Sequence, residues 1–91
     1  MFYVYIIQND ISHELYIGYT NNLKRRVTEH NGDSKKYTTR DLGAWKVVYY
    51  EAFRSQADAK LREVKLKQHG SSKRELYKRI SQSLWPKTGA G

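Results

Sequence analysis

The longest apolar stretch of the chain, Phe2-Tyr3-Val4-Tyr5-Ile6-Ile7, is aromatic or β-branched at every position and shows no alternation with polar residues. Such a run predicts a strand covered on both faces. Gln8-Asn9-Asp10 and Ser12-His13 then supply turn chemistry, and Glu14 to Tyr19 resumes a strand pattern, so the two segments predict an antiparallel hairpin. Gly18 marks a point where a side chain would block the close approach of another backbone or a ligand. Asn21-Asn22 offers a helix N-cap, Leu23 and Val27 recur at helical spacing, and Gly32 reads as the stop. The polar stretch from Asp33 to Arg40 reads as a loop holding at most one helical turn. Asp41-Leu42-Gly43 turns into a third strand, Ala44 to Glu51. Its alternation predicts Trp45, Val47 and Tyr49 on one face, with Val48 and Tyr50 on the other.

Two more helices follow. Ser55-Gln56-Ala57-Asp58 resembles a capping box and predicts a helix ending at Gly70, with Ala57, Leu61 and Val64 turned inward. Ser72-Lys73-Arg74-Glu75 is a full capping box for the last helix, whose apolar stripe is Leu76, Ile80 and Leu84 and whose stop is Pro86. The order ββαβαα predicts an α/β (α+β) fold, a small, mainly antiparallel three-stranded sheet flanked by helices. Residues 1–84 are expected to form the folded domain and 85–91 a flexible C-terminal tail.

Composition narrows what such a fold can do. The 91 residues carry 17 Lys plus Arg against 9 Asp plus Glu, a net charge of +8 at pH 7. Hydrophobic residues make up 38% and aromatics 13%, enough to build a core, so the chain is no disordered basic tail. Absence of cysteine removes disulfides, thiolate zinc sites and a cysteine nucleophile. No apolar run approaches the ~20 residues of a membrane span, and nothing resembles a secretory signal. A cytoplasmic setting is the expectation.

Basic residues cluster at Lys24-Arg25-Arg26, at Lys35, Lys36 and Arg40, and along Lys60 to Arg79, where eight bases face only Glu63 and Glu75. Single clusters are often just solvated surface. Three of them interleaved with Tyr19 and Tyr37 favour a phosphate polymer over a membrane, because neither basic helix carries the broad apolar face that enters an interface.

Tyr3-Val4-Tyr5 on the first strand and Tyr16-Ile17-Gly18 on the second, with Tyr16 standing 11 residues after Tyr5, resemble the paired tripeptides of the GIY-YIG nuclease family. Arg26 stands 10 residues after Tyr16, as in that family, and His30 follows one turn later. Glu63 on a later helix matches the family's metal-binding Glu, and Lys36-Tyr37-Thr38 resembles a segment of its small stand-alone members. Tyr3 departs from the pattern by replacing a Gly. The likeness covers roughly Phe2 to Leu84.

The resemblance implies a metal-dependent endonuclease acting on DNA, branched or damaged, with RNA as a further possibility. It implies Tyr5, Tyr16, Arg26 and His30 as catalytic residues and Glu63 as ligand of a single Mg²⁺ or Mn²⁺. Arg25, Lys36, Tyr37, Arg40, Lys65 and Lys67 are the expected nucleic-acid contacts. Chemistry agrees with those roles: phosphodiester hydrolysis needs a base, positive charge on the phosphoryl oxygens and help for the leaving oxygen. Tyr5 or Tyr16 would be the base, although a free phenol is only about 0.1% ionised at pH 7. Arg26 suits a bidentate phosphate contact, His30 a water or phosphate contact, and Glu63 a Mg²⁺ completed by waters. Each has a plain structural alternative: sheet packing for the tyrosines, an ion pair with Glu29 or Asp33 for Arg26, and a Glu63–Lys67 pair four residues apart. His13 and His69 read as surface residues. A non-catalytic nucleic-acid-binding domain, or a nuclease needing a protein partner, is the alternative function.

Overall fold

The structure is a computed structural model that describes residues 1–37 and 43–85, with side chains for 1–32 and 43–85. The elements are β1 (Phe2–Asn9), β2 (Leu15–Thr20), α1 (Leu23–Tyr37), β3 (Trp45–Phe53), α2 (Gln56–Gln68) and α3 (Gly70–Arg79), closed by a 3-10 turn at Ser81–Ser83. The sheet order is β2-β1-β3, antiparallel throughout. The most apolar strand is therefore central, as its unbroken run predicts. Val4, Ile6 and Ile17 bury one sheet face against Ala59, Leu66 and Leu76 of the two later helices. The opposite face carries Tyr3, Tyr5 and Ile7.

At the hairpin, Asn9 Oδ1 accepts hydrogen bonds from the Ile11 and Ser12 amides, both at 2.9 Å, and His13 takes the left-handed conformation at φ 65°. Fully buried Gln8 donates to the carbonyls of His13 (3.1 Å) and Trp85 (3.2 Å) and accepts from the Trp85 amide (2.8 Å). One satisfied amide thus ties residue 85 to the turn, 77 positions away in sequence.

Several expectations are corrected. Helix α1 does not stop at Gly32 but runs on to Tyr37, absorbing residues read as loop. Gly32 has no positive φ, and Asn31 grips both backbone groups of Trp45 (2.8 and 3.2 Å) from within the helix. On β3 the register steps at Ile6/Ile7, where Ile7 pairs with Val47 and Ile6 with Tyr49, leaving Val48 as a bulge. Tyr49 therefore joins the core face, and Tyr50 passes to the side of Tyr5, reversing the expected alternation.

The inward face of α2 is Ala59 and Leu66, while Leu61 and Val64 are 55% and 43% exposed. What turns the helix this way is Arg62, whose Nε and Nη2 reach Glu51 at 3.0 and 2.9 Å. Ser55 does cap α2 through the Asp58 amide at 3.2 Å. Helix α3, by contrast, starts at Gly70, two residues before the expected capping box, with His69 as the shared cap of both helices and no side-chain capping bond. It ends at Arg79, so Leu84 falls beyond it. Pro86 and the remaining tail lie outside the described residues.

The Glu51–Arg62 pair, joined by the Tyr49 hydroxyl donating to Glu51, fastens α2 to β3. Burial alone would raise the Glu51 carboxyl, but the hydrogen bonds from Arg62 and Tyr49 hold it below its usual value. Its folded value is lower than its unfolded one. The stabilisation is therefore present above the ordinary value of 4.5 and lost as pH falls through the lowered one. Glu51→Gln should cost about 1–3 kcal/mol at pH 7. Urea midpoints measured from pH 7 to pH 3 should fall less in the variant than in the wild type; equal falls would refute the assignment.

Candidate active site

Tyr5 sits on the central strand, fully buried, directly opposite Gly18 of β2 and Tyr50 of β3. A Cβ at position 18 would fall on the Tyr5 hydroxyl and ring, so the absent side chain is what lets the ring lie across β2. From there the hydroxyl reaches Nε2 of His30 at 3.2 Å. The Tyr16 ring completes the group, 6.4 Å from Tyr5 and 4.9 Å from His30 between ring centroids. Two strands and α1 thereby bring three aromatic rings together.

Arg26, one turn before His30 on α1, donates to Glu29 at 3.2 Å, and its interaction with the Tyr5 hydroxyl raises its basicity. Burial pushes the Tyr5 phenol above its ordinary value of 10.0; Arg26 pulls it down without cancelling that effect, and the charges of Tyr16 and Glu63 add to the rise. At Tyr5, desolvation outweighs the nearby guanidinium. Tyr16, at 38% exposed, faces solvent far more.

Helix α2 closes the group from the edge of β2. Glu63 pairs with Lys67 at 2.9 Å, and Lys67 Nζ stands 5.7 Å from the centroid of the Tyr16 ring. The pair raises the Lys67 ammonium, with burial opposing and the two tyrosines assisting. Tyr5, Tyr16, Arg26, His30 and Glu63 thus lie in one neighbourhood. Lys67, expected as a nucleic-acid contact, lies among them; its position four residues after Glu63 was the available signal. Arg25 is apart from the group, paired with Glu29 at 3.7 Å, and Lys65 is exposed on α2. The side chains of Lys36 and Tyr37, and all of Arg40 and Thr38, lie outside the described residues.

No group of three or more His, Cys, Asp or Glu side chains able to hold a metal occurs among the described residues. What is present is a single partly buried carboxylate beside two phenols and a guanidinium. That donor set fits a hard divalent cation whose remaining ligands are waters and phosphate oxygens. It does not fit a zinc site.

The model of the family described as GIY-YIG catalytic domain matches residues 1–78. A UPF0213 protein of Clostridium perfringens is 40% identical over 67 residues, spanning 74% of this chain and 71% of that protein. Another from Oceanobacillus iheyensis is 43% identical over 68 residues, covering 72% and 76%. One from the archaeon Haloquadratum walsbyi is 38% identical over 74 residues, covering 80% and 81%. No solved structure matches the chain.

The close approach at Gly18 makes a sharp expectation. Gly18→Ala should destabilise by about 1–3 kcal/mol, because the Tyr5 ring must leave its place. Gly32→Ala, where a Cβ meets nothing within 4 Å, should be neutral or gain about 0.5–1 kcal/mol from helix propensity. Denaturant midpoints of the two variants test this; equal behaviour would show that the ring and strand adjust freely.

Proposed function

The chain belongs to the GIY-YIG catalytic domain family, a nuclease family, and from that premise we propose that it hydrolyses DNA phosphodiester bonds with the help of one divalent cation. The observation that carries this reading is the meeting of Tyr16, the Tyr5–Arg26–His30 group and Glu63 in one place, from four separate elements. Tyr16 takes the proton from the attacking water, since its ring is open to solvent and Lys67 sits over its face to offset the developing negative charge. Tyr5 remains a neutral phenol, held by burial. Its oxygen faces Arg26, and its hydroxyl hydrogen is available to Nε2 of His30. Arg26 binds the scissile phosphate through its guanidinium, and His30 holds the water or a phosphoryl oxygen. Glu63 would hold Mg²⁺ or Mn²⁺, and the cation would supply Lewis-acid stabilisation of the charge that develops on the phosphodiester.

Substrate choice follows from charge. The +8 balance supports backbone binding, and selection of branched or damaged structure over sequence, in repair or recombination, is the reading that fits. The Glu63–Lys67 ion pair favours a second reading, binding without cleavage, in which the carboxylate serves only Lys67. Among the described residues no helix is long and apolar enough to cross a membrane.

Tyr16→Phe should lower single-turnover cleavage of a labelled branched substrate by about 10²–10⁴-fold while preserving the fold. Tyr5→Phe should cost less and leave the rise of rate with pH intact. A larger loss in Tyr5→Phe would exchange the two roles. Glu63→Gln should abolish cleavage yet keep or tighten DNA binding; unchanged cleavage at saturating Mg²⁺ would establish the ion-pair reading instead. With about five phosphate contacts, the log–log salt slope of binding should lie near −4 to −5, and a slope shallower than about −2 would exclude a backbone-binding surface.

A further inference from the structure

Beyond the tyrosine group the surface continues as a groove. A hollow of about 740 Å³ opens beside Tyr16, between the hairpin turn and α3, with Trp45, Lys73 and Tyr77 in its walls. A second hollow of about 560 Å³ shares Lys73 and Tyr77 and is lined further by Arg74 and Lys78. We propose that this groove binds an unpaired nucleic-acid strand leading away from the scissile phosphate at Tyr16, with Lys73, Arg74 and Lys78 on its phosphates and the Tyr77 and Trp45 rings against its bases. The proposal rests on the nuclease reading for its direction, because Tyr16 is the point where groove and site join.

Charge and ring placement identify the occupant. Among the groove residues three cations on α3 face one carboxylate, Glu14, at the hairpin end. The acid of α3, Glu75, lines a different hollow with Arg62 and Arg79, so it does not neutralise this side. Helical spacing sets Lys73 beside Tyr77 and Arg74 beside Lys78, which places one aromatic ring among three cations along the groove. Tyr77 is only partly buried but packs against the hydrophobic core, so its ring is held in place before any base arrives. A fixed ring flanked by cations binds bases with little sequence preference. A duplex keeps its bases stacked inside and would use the cations alone. An acidic peptide would leave the rings unused.

The test measures binding, not cleavage. Fluorescence anisotropy in EDTA compares a blunt duplex with the same duplex carrying an unpaired tail, made as DNA in one arm and RNA in the other. The full chain should bind at least one tailed substrate about tenfold more tightly than the blunt duplex. Arg74→Ser/Lys78→Ser, both exposed positions, should lose that preference and bind every substrate as the blunt one is bound. Tyr77→Phe should retain it, since the ring remains. Equal affinity of the wild type for tailed and blunt duplexes overturns the proposal. So does a preference that survives in the double variant, or displacement of the tail by polyglutamate as readily as by unlabelled strand. A tail preference in a protein that cleaves nothing with Mg²⁺ would support the groove and refute the nuclease reading; cleavage without tail preference would do the reverse.

Discussion

Because residue 18 has no side chain, the Tyr5 ring lies across the neighbouring strand instead of standing up from its own. That one contact sets the position of the hydroxyl, and the hydroxyl sets where His30 and Arg26 come to rest. A glycine in a strand costs conformational entropy and leaves a gap. Here the aromatic ring fills the gap and gains a rigid seat. Stability and site geometry are thus drawn from the same pair of residues, which leaves little freedom to change either alone.

A domain so rich in positive charge must also keep its interior groups from repelling one another. Glu51 and Glu63 divide that task. Glu51 sits among Arg62 and Tyr49 as a structural anchor on the core side, while Glu63 sits with Lys67 beside the tyrosines. Each carboxylate offsets one basic residue that would otherwise be left partly desolvated with no counter-charge. Only the second stands beside the tyrosine group.

Much of this was legible in the sequence. The unbroken run at Phe2 to Ile7 identified the central strand, and the resemblance of the motifs from Tyr5 through Arg26 to Glu63 named candidate residues that the fold gathers in one neighbourhood. What stayed hidden came from tertiary demands on local pattern. Gly32 carries a stop signal that Asn31's grip on Trp45 overrides. Leu61 and Val64 look like the buried stripe of α2, yet the Arg62–Glu51 bond rolls the helix so that they face outward. The place of Lys67 over Tyr16 depends on how α2 lies along the edge of β2, which no spacing within one helix reveals.

The bulge at Val48 has a meaning for how this sheet tolerates change. By adding one residue between Val47 and Tyr49, it puts the two halves of β3 out of phase. The half from Tyr49 to Phe53 answers to the core on one side and to Tyr5 on the other. The other half pairs Val47 with Ile7 and Trp45 with Asn9 at the hairpin end, where Trp45 also lines the hollow beside Tyr16. A substitution that reshapes one half is not transmitted as a face swap to the other, since the extra residue absorbs the shift. The strand behaves as two modules joined by a spacer, so the end at Trp45 can change its side chains while the tyrosine end stays as it is.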